Sequence, residues 1–200
     1  MPVKQVEFIK SSTTISQCPN DMQAEYAFLG RSNVGKSSLI NYLTNKIKLA
    51  KTSGKPGHTR VINHFLVNNL WYLVDLPGYG YAKVGKKERA EFEKIIYDYL
   101  LGAEKLICLF LLIDCRHSPL QIDLDFMQWL GENEIPFAIV FTKTDKLGVT
   151  KLNKAISDYK TKLLEYWEYL PETFQTSTLK RQGGEQILEY IEGLNDSIIK

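Results

Sequence analysis

Residues 26–44 read YAFLGRSNVGKSSLINYLT, an apolar run followed by a glycine-rich segment and an amphipathic pattern. The apolar run Tyr26–Leu29 is typical of a buried strand, and the spacing of apolar residues over 37–44 predicts a helix. The residues between and just inside these elements fit the pattern GxxxxGK[ST]: Gly30, Arg31, Ser32, Asn33, Val34, Gly35, Lys36 and Ser37.

A strand, this loop and a helix together predict a phosphate-binding loop. The glycines allow backbone N–H groups to wrap around phosphates, and the helix N-terminus adds positive potential. We expect Lys36 to reach the β and γ oxygens and to act in catalysis, and Ser37 to place its hydroxyl on Mg²⁺. The motif alone does not choose between ATP and GTP.

The rest of the chain alternates between β-rich apolar runs and helical patterns. Further strands are predicted at 61–67, 70–75, 106–114 and 136–142, with a weaker one near Phe174, and helices at 37–44, 87–101, 120–133, 152–169 and 185–198. Such alternation indicates a doubly wound α/β sheet. Two of the runs are separated only by Asn68 and Asn69, too short for a parallel crossover, so we predict one antiparallel pair.

Length and composition suit one globular domain, with 200 residues of which 44% are hydrophobic and 24% charged. The longest apolar run, Leu106–Ile113, is far shorter than the ~20 residues of a membrane-spanning helix. The first residues alternate apolar with polar side chains and lack the apolar core of a secretory signal. We therefore expect a cytoplasmic protein with no membrane partner, and a monomer by default.

A second motif, Asp75, Leu76, Pro77 and Gly78, follows the second strand of the predicted hairpin. An acid at a strand end can hold the magnesium shell through water, and Gly78 can offer its N–H to a γ-phosphate as a further catalytic group. Asp-x-Pro-Gly is also an ordinary turn. Its place one hairpin after the phosphate-binding loop favours the nucleotide interpretation.

A third motif, Thr142, Lys143, Thr144 and Asp145, ends another strand and resembles the TKxD base-recognition motif of GTPases. Guanine presents N1–H and its 2-amino group as adjacent donors that the Asp145 carboxylate can accept, whereas adenine lacks that pair. Lys143 would lie along the base and brace the phosphate-binding loop. The alternative is a solvated Lys and Asp at a helix start, with Asp145 as a cap.

Two loops complete the predicted site. A backbone N–H from Thr176, Ser177 or Thr178, after the last strand, could meet guanine O6, although short Ser/Thr clusters are usually turns. The basic segment 46–60 carries Thr59, where GTPases place a threonine that binds Mg²⁺ and senses the γ-phosphate, with Thr52 less well placed. The neighbours of Thr59 are included as nucleotide-binding candidates: Gly57, His58, Arg60 and Val61.

Family-specific blocks accompany these motifs: GRSNVGKSSLIN, PGHTRVINHF, VDLPGYGYAKV, IDCRHSPLQIDLDFMQWL, TKTDK and STLKRQGG. Together they resemble the EngB (YihA/YsxC) family of bacterial ribosome-biogenesis GTPases, from about Glu25 to the last helix. The resemblance implies a Ras-like, mixed six-stranded sheet at 25–200, with 1–24 as an N-terminal extension packed on it.

The resemblance also implies what the protein does. It implies GTP and GDP as ligands, Mg²⁺ as cofactor, and slow GTP hydrolysis in a switch for large ribosomal subunit assembly, which supports normal cell division and septation. The implied partners are the subunit precursor and its rRNA, not DNA. TKTD and STLKRQGG differ slightly from the TKAD and SSxKxxG of many relatives.

Three details of mechanism remain open at this stage. Tyr79 stands where Ras-like enzymes have the glutamine that orients water, so intrinsic turnover should be slow. Asn33 matches the asparagine of potassium-activated GTPases and either helps to seat K⁺ or bonds loop backbone. A set of basic residues in or beside the two phosphate-sensing loops either contacts rRNA phosphates or is a solvated surface: Lys51, Lys55, Arg60, Lys83, Lys86 and Lys87.

Two other classes of protein compete with this interpretation. An ATP-using P-loop enzyme would share Lys36 and Ser37 but would have no use for Asp145. A binding module could instead hold GTP as a conformational switch without useful hydrolysis of its own.

Overall fold

A seven-stranded mixed sheet forms the centre of the molecule in the computed structural model, which describes residues 2–46, 49–50, 61–80 and 86–198. The order across the sheet is β1-β3-β4-β2-β5-β6-β7. The strands are β1 (Val6–Ser12), β2 (Ala24–Gly30), β3 (Ile62–Val67), β4 (Trp71–Asp75), β5 (Leu106–Asp114), β6 (Phe137–Thr142) and β7 (Thr173–Gln175).

Five α-helices are formed by the described residues. They are α1 (Lys36–Leu43), α2 (Lys86–Gly102), α3 (Gln121–Glu132), α4 (Val149–Leu164) and α5 (Gly184–Ile198). Short 3₁₀ turns lie at Ile15–Gln17 and Thr144–Lys146. None of the helices in these ranges is long and apolar enough to cross a membrane.

The predicted hairpin is confirmed, and β3 is the strand that opposes the others. It pairs antiparallel with β4 through Asn68 and Asn69, whose φ angles of 51° and 57° lie in the left-handed region that asparagine tolerates. It also pairs antiparallel with β1, while the remaining pairings are parallel. The Ras-like α/β class, with one antiparallel strand, is therefore confirmed.

The predicted count of six strands was wrong, because the N-terminal segment supplies a further edge strand. Five of the seven residues of β1 are exposed, so this strand buries little apolar surface and leaves a weak pattern in the sequence. The strand β1 lies antiparallel to β3, with Val6 opposite Val67 and Ser12 opposite Ile62.

Two apolar clusters, one on each face of the sheet, hold the helices in place. Along β5, Leu109, Leu111 and Ile113 pack with residues of α2, α3 and α4. The intervening Phe110 and Leu112 pack with residues of α1 and α5. Since alternate strand residues point to opposite faces, this division is the expected signature of a doubly wound sheet. The carboxyl ends of its parallel strands share one edge, where ligands bind in such folds.

Candidate functional site

The loop after β2 is shaped by two glycines. A Cβ added at Gly30 would lie 2.8 Å from Val34 Cγ1 and 2.9 Å from the Leu112 oxygen, so a larger residue would push the loop off β5. Gly35, at the N-cap of α1, has φ 106°, and Asn33 has φ 62°. The loop therefore follows a backbone path that glycine and asparagine allow, and it ends at the N-terminus of α1.

Lys36 and Ser37 open α1 on the inner side of this loop. Lys36 Nζ forms an ion pair with Asp75 Oδ1 at the end of β4, and Asp75 is only 4% exposed. Ser37 directly follows Lys36 in the chain and is half-buried in the first turn of α1. A hydroxyl and a carboxylate at adjoining strand and helix ends are oxygen donors of the kind that Mg²⁺ prefers, so these residues fit the predicted metal.

Gly78 is held close to the phosphate-binding loop by main-chain hydrogen bonds on both sides of it. The Leu76 N–H donates to the Phe28 oxygen at 3.1 Å, and the Tyr79 N–H donates to the Gly30 oxygen at 3.2 Å. Pro77 and Gly78 are buried between these two bonds. The two predicted motifs are thus brought together in the structure.

Tyr79 does not face the predicted phosphate position as a catalytic side chain would. Its ring is 5% exposed and its hydroxyl donates to Asp123 Oδ1 at 2.8 Å. Burial, more than the nearby Asp123 charge, raises the pKa of Tyr79 well above its usual value. Sequence reasoning missed Asp123, although an acid between Ile122 and Leu124 of α3 was a signal that could have been followed.

The predicted base-recognition motif lies between β6 and the loop after β7. Lys143, with φ 59°, donates from Nζ to the Asn33 oxygen at 2.6 Å, and so braces the phosphate-binding loop as expected. Thr142 Oγ1 donates to the Val34 oxygen at 2.7 Å. These two bonds tie the base motif to the phosphate motif across the strand ends.

Asp145 is oriented by the loop that follows β7. Ser177 Oγ donates to Asp145 Oδ1 at 2.7 Å, and this hydrogen bond is the largest cause of a lowered pKa at Asp145. Thr144 donates from both N and Oγ1 to the Thr176 oxygen, at 3.2 and 3.1 Å. The carboxylate is therefore ionised near neutral pH and held in one orientation.

The loop after β7 is itself closed by Gly183. The main chains of Ser177 and Gln182 exchange hydrogen bonds of 3.1 and 2.9 Å. Gly183 has φ 84°, and a Cβ added there would lie 1.9 Å from the Gln175 oxygen. Thr176 and Ser177 are buried, and Thr178 is half-buried beside them. The predicted Ser/Thr cluster therefore lies next to Asp145.

Asp114, at the end of β5, is a second residue that sequence reasoning did not single out. Arg116 donates to it bidentately at 2.9 and 2.7 Å, and Lys143 Nζ lies 2.9 Å from Oδ2. Burial acts to raise the pKa of Asp114, but the hydrogen bonds from Arg116 and Lys143 outweigh it and hold the pKa below its usual value. Asp114 therefore fixes the Lys143 ammonium above the loop.

Part of the predicted site lies outside the described residues: Gly57, His58, Thr59, Arg60 and Thr52, together with Lys51, Lys55 and Lys83. Val61 is described, half-buried, directly before β3. Lys86 and Lys87 begin α2. The described part of the site consists of the phosphate-binding loop, 75–78, 142–145 and 176–178.

Comparison with known proteins agrees with this geometry. The family described as "50S ribosome-binding GTPase" matches residues 25–143. The chain is 56% identical to the "Probable GTP-binding protein EngB" of Christiangramia forsetii over 198 residues, covering 99% of this chain and 100% of that protein. It is 54% identical to the protein of the same description from Porphyromonas gingivalis, covering 99% and 98%.

Solved structures show the same fold. A crystal structure of a probable GTP-binding protein engB superimposes with a TM-score of 0.71 at 24% identity, covering 87% of this chain and 100% of that one. A bacterial selenocysteine-specific elongation factor gives a TM-score of 0.61 at 19% identity, covering 88% of this chain and 29% of that one.

Proposed function

This chain belongs to the EngB family of GTP-binding proteins and hydrolyses GTP, and from that premise we propose that it is a nucleotide-controlled switch in large ribosomal subunit assembly. The proposed partners are the subunit precursor and its rRNA, the proposed setting is the cytoplasm, and the proposed working form is a monomer. Through the supply of ribosomes the switch would support cell division and septation. The observation that carries the proposal is the match of residues 25–143 to a family described as ribosome-binding.

For the nucleotide, we propose that the base lies against Asp145 and the loop 176–178, and that the phosphates lie in the loop 30–37. The Ser177 bond that orients Asp145 and the Lys143 bond to the Asn33 oxygen support this placement. Ser37 would bind Mg²⁺ directly, Asp75 through water, and Thr59 after the nucleotide binds. When bound, Mg²⁺ neutralises charge that develops on the phosphate oxygens.

Hydrolysis in this proposal is an in-line attack of water on the γ-phosphate, and the residues of the chain act by position and charge. The Lys36 ammonium, now paired with Asp75, would turn to the β and γ oxygens, and the Gly78 N–H would donate to the γ-phosphate. Because the Tyr79 hydroxyl is used by Asp123, Tyr79 does not orient the water. Slow intrinsic turnover follows.

The hydrogen bond from the Tyr79 hydroxyl to Asp123 also supports a second candidate function, that of a GTP-binding module. If no other group positions the water, the protein would hold GTP mainly as a binding module and depend on its partner for hydrolysis. Single-turnover hydrolysis with and without purified large subunits distinguishes the two. Measurable GTP hydrolysis without subunits supports a switch that hydrolyses GTP by itself. Hydrolysis seen only with subunits supports a binding module that depends on its partner.

Potassium is a further part of the proposal. The Asn33 side chain is exposed at the tip of the phosphate-binding loop, where it could help to seat K⁺ beside the phosphates. We expect faster turnover in potassium than in sodium for the wild-type protein, and a loss of that difference in Asn33→Ala. Equal turnover in the two salts would leave Asn33 with a backbone role only.

The ribosomal role can be tested by pelleting purified large subunits with the protein. We expect co-sedimentation with a non-hydrolysable GTP analogue, less with GDP, and a decline as salt rises, because phosphate contacts release counterions. A variant with the six basic residues in or beside the two loops changed to glutamine should bind less: Lys51, Lys55, Arg60, Lys83, Lys86 and Lys87. The matched control changes Lys154 and Lys162, which pair with Asp158 on α4 and with Glu165 directly after it. Binding that ignores both nucleotide and salt contradicts the proposal.

A further inference from the structure

Tyr79 is fixed by three contacts with two elements, although it has no place in the chemistry. Its N–H bonds the Gly30 oxygen at 3.2 Å, which joins it to the phosphate-binding loop. Its ring stacks on Phe126 of α3 with centroids 5.1 Å apart and planes 24° apart. Its hydroxyl donates to Asp123, also on α3, at 2.8 Å. The residue directly after Gly78 is therefore held from both its main chain and its side chain.

Asp123 is a buried acid on the face of α3 that packs against the sheet. It is 2% exposed, and its second oxygen accepts a hydrogen bond of 3.4 Å from the Tyr159 hydroxyl of α4. A buried carboxylate carries a desolvation cost that a leucine at the same place would not. Asp123 accepts hydrogen bonds from two tyrosine hydroxyls that offset part of this cost, and the shorter of the two comes from Tyr79, beside the phosphate-binding loop.

The chain leaves Tyr79 through a second restricted position. Gly80 has φ 71°, and a Cβ added there would lie 3.3 Å from Arg31 Nε and 3.5 Å from Ile122 Cδ1. Arg31 belongs to the phosphate-binding loop and Ile122 to α3. The segment 78–80 is thus confined between the same two elements that hold Tyr79.

We propose that Asp123 is a positioning residue for the GTPase reaction, which through the Tyr79 hydroxyl holds the Gly78 N–H where the γ-phosphate is sensed. The inference rests on the proposed function, in which Gly78 donates to the γ-phosphate. A donor that is already in place costs less to organise when GTP binds, whereas GDP has no γ-phosphate to meet it. The contact therefore favours GTP over GDP and speeds hydrolysis.

The expected effect of Asp123→Ala is specific to the γ-phosphate. The hydrogen bond from the Tyr79 hydroxyl to the buried Asp123 carboxylate holds Gly78 in position. Without this bond, GTP affinity should fall about tenfold and GDP affinity by less than about twofold. The hydrolysis rate at saturating GTP should fall as well, because the Gly78 N–H is less well placed in the transition state. Asp123→Asn keeps an oxygen acceptor for Tyr79 and should recover most of both losses.

The experiment measures affinity for GTP and GDP by competition with a fluorescent nucleotide, single-turnover hydrolysis, and thermal stability. The matched controls are Asp125→Ala and Asp125→Asn, on the same helix, since Asp125 is exposed and accepts a bond only from the nearby Gln121 among the contacts described. Tyr79→Phe removes only the hydroxyl and keeps the stacked ring, so it serves where Asp123→Ala does not fold. Tyr79→Phe and Asp123→Ala combined should show less than the sum of their separate losses.

Three outcomes separate this inference from its premise. Equal losses of GTP and GDP affinity that follow the fall in thermal stability would mean that Asp123 has a structural role only, and the inference would be overturned. An unchanged GTP preference in Gly78→Pro, which removes the main-chain N–H, would overturn the assignment of Gly78 and the inference with it. A changed preference in Gly78→Pro but not in the Asp123 and Tyr79 variants would overturn the inference alone, and subunit pelleting would still test the ribosomal role.

Discussion

Replacing Asp145 by asparagine should move the preference of the nucleotide site from guanine toward xanthine. The carboxylate is predicted to accept two hydrogen bonds from guanine, each of which contributes about 1.5–3 kcal/mol when one partner is charged. Loss of both corresponds to about 10²–10⁴-fold weaker GDP binding. The fold should persist, because asparagine keeps the oxygen that accepts the 2.7 Å bond from Ser177 Oγ.

Xanthine presents a carbonyl oxygen where guanine has its 2-amino group, so an amide N–H at position 145 would gain an acceptor. The assay is displacement of fluorescent GDP from the wild type, and of fluorescent xanthosine diphosphate from the variant, by GTP, ATP and xanthosine triphosphate. Ser177→Ala is a useful companion, because it leaves the carboxylate but releases its orientation, and we expect about tenfold weaker GDP binding. Equal displacement by ATP and GTP in the wild type would refute the reasoning, as would a variant with no gain for xanthine.

Other substitutions test the geometry of the site. Gly183→Ala should destabilise the protein by more than about 2 kcal/mol, because φ is 84° and the new Cβ would meet the Gln175 oxygen, as urea denaturation will measure. Gly193→Ala, in the interior of α5 with nothing within 4 Å of the new Cβ, should instead stabilise it by about 0.5–1 kcal/mol. Asp114→Asn should lower stability by about 1–3 kcal/mol at neutral pH. The pKa of Asp114 is lowered in the folded state, so the difference in unfolding free energy between the two proteins is fully present above the unfolded pKa of 3.8. Acid titrations of unfolding should show that this difference is lost progressively as the pH falls from 3.8 toward the lowered pKa of the folded state.

The sequence predicted those parts of the fold in which a residue type has only one physical use. The phosphate-binding loop could be placed because glycine, lysine and serine at fixed spacing follow a buried strand. The Asn68–Asn69 hairpin could be placed because two residues cannot span a parallel crossover. The strand β1 was not counted, because an edge strand that exposes most of its side chains lacks the apolar run of a buried one.

The helix α4 shows where periodicity misleads. The apolar pattern predicts a helix over 152–169, yet α4 ends at Leu164. The chain turns there so that the Trp167 ring meets Phe137 edge-on, with centroids 5.5 Å apart, and packs close to Gly131. A tertiary contact of this kind is not encoded in local spacing. Asp123 and Asp114 escaped prediction for the same reason, since their partners Tyr79 and Lys143 are distant in the chain.

Because Ser177 orients the Asp145 carboxylate, the site that recognises the base is assembled from segments that are synthesised at different times. The loop that orients Asp145 follows β7, the last strand, and is held by Gly183 and by α5, which buries Ile187 and Ile191 against the sheet. A nascent chain that has released only the phosphate-binding loop has half a site. Selection of the base requires in addition that β7, the loop 176–178 and α5 have emerged from the ribosome and packed. The phosphate part of the site can therefore form earlier in synthesis than the part that distinguishes guanine.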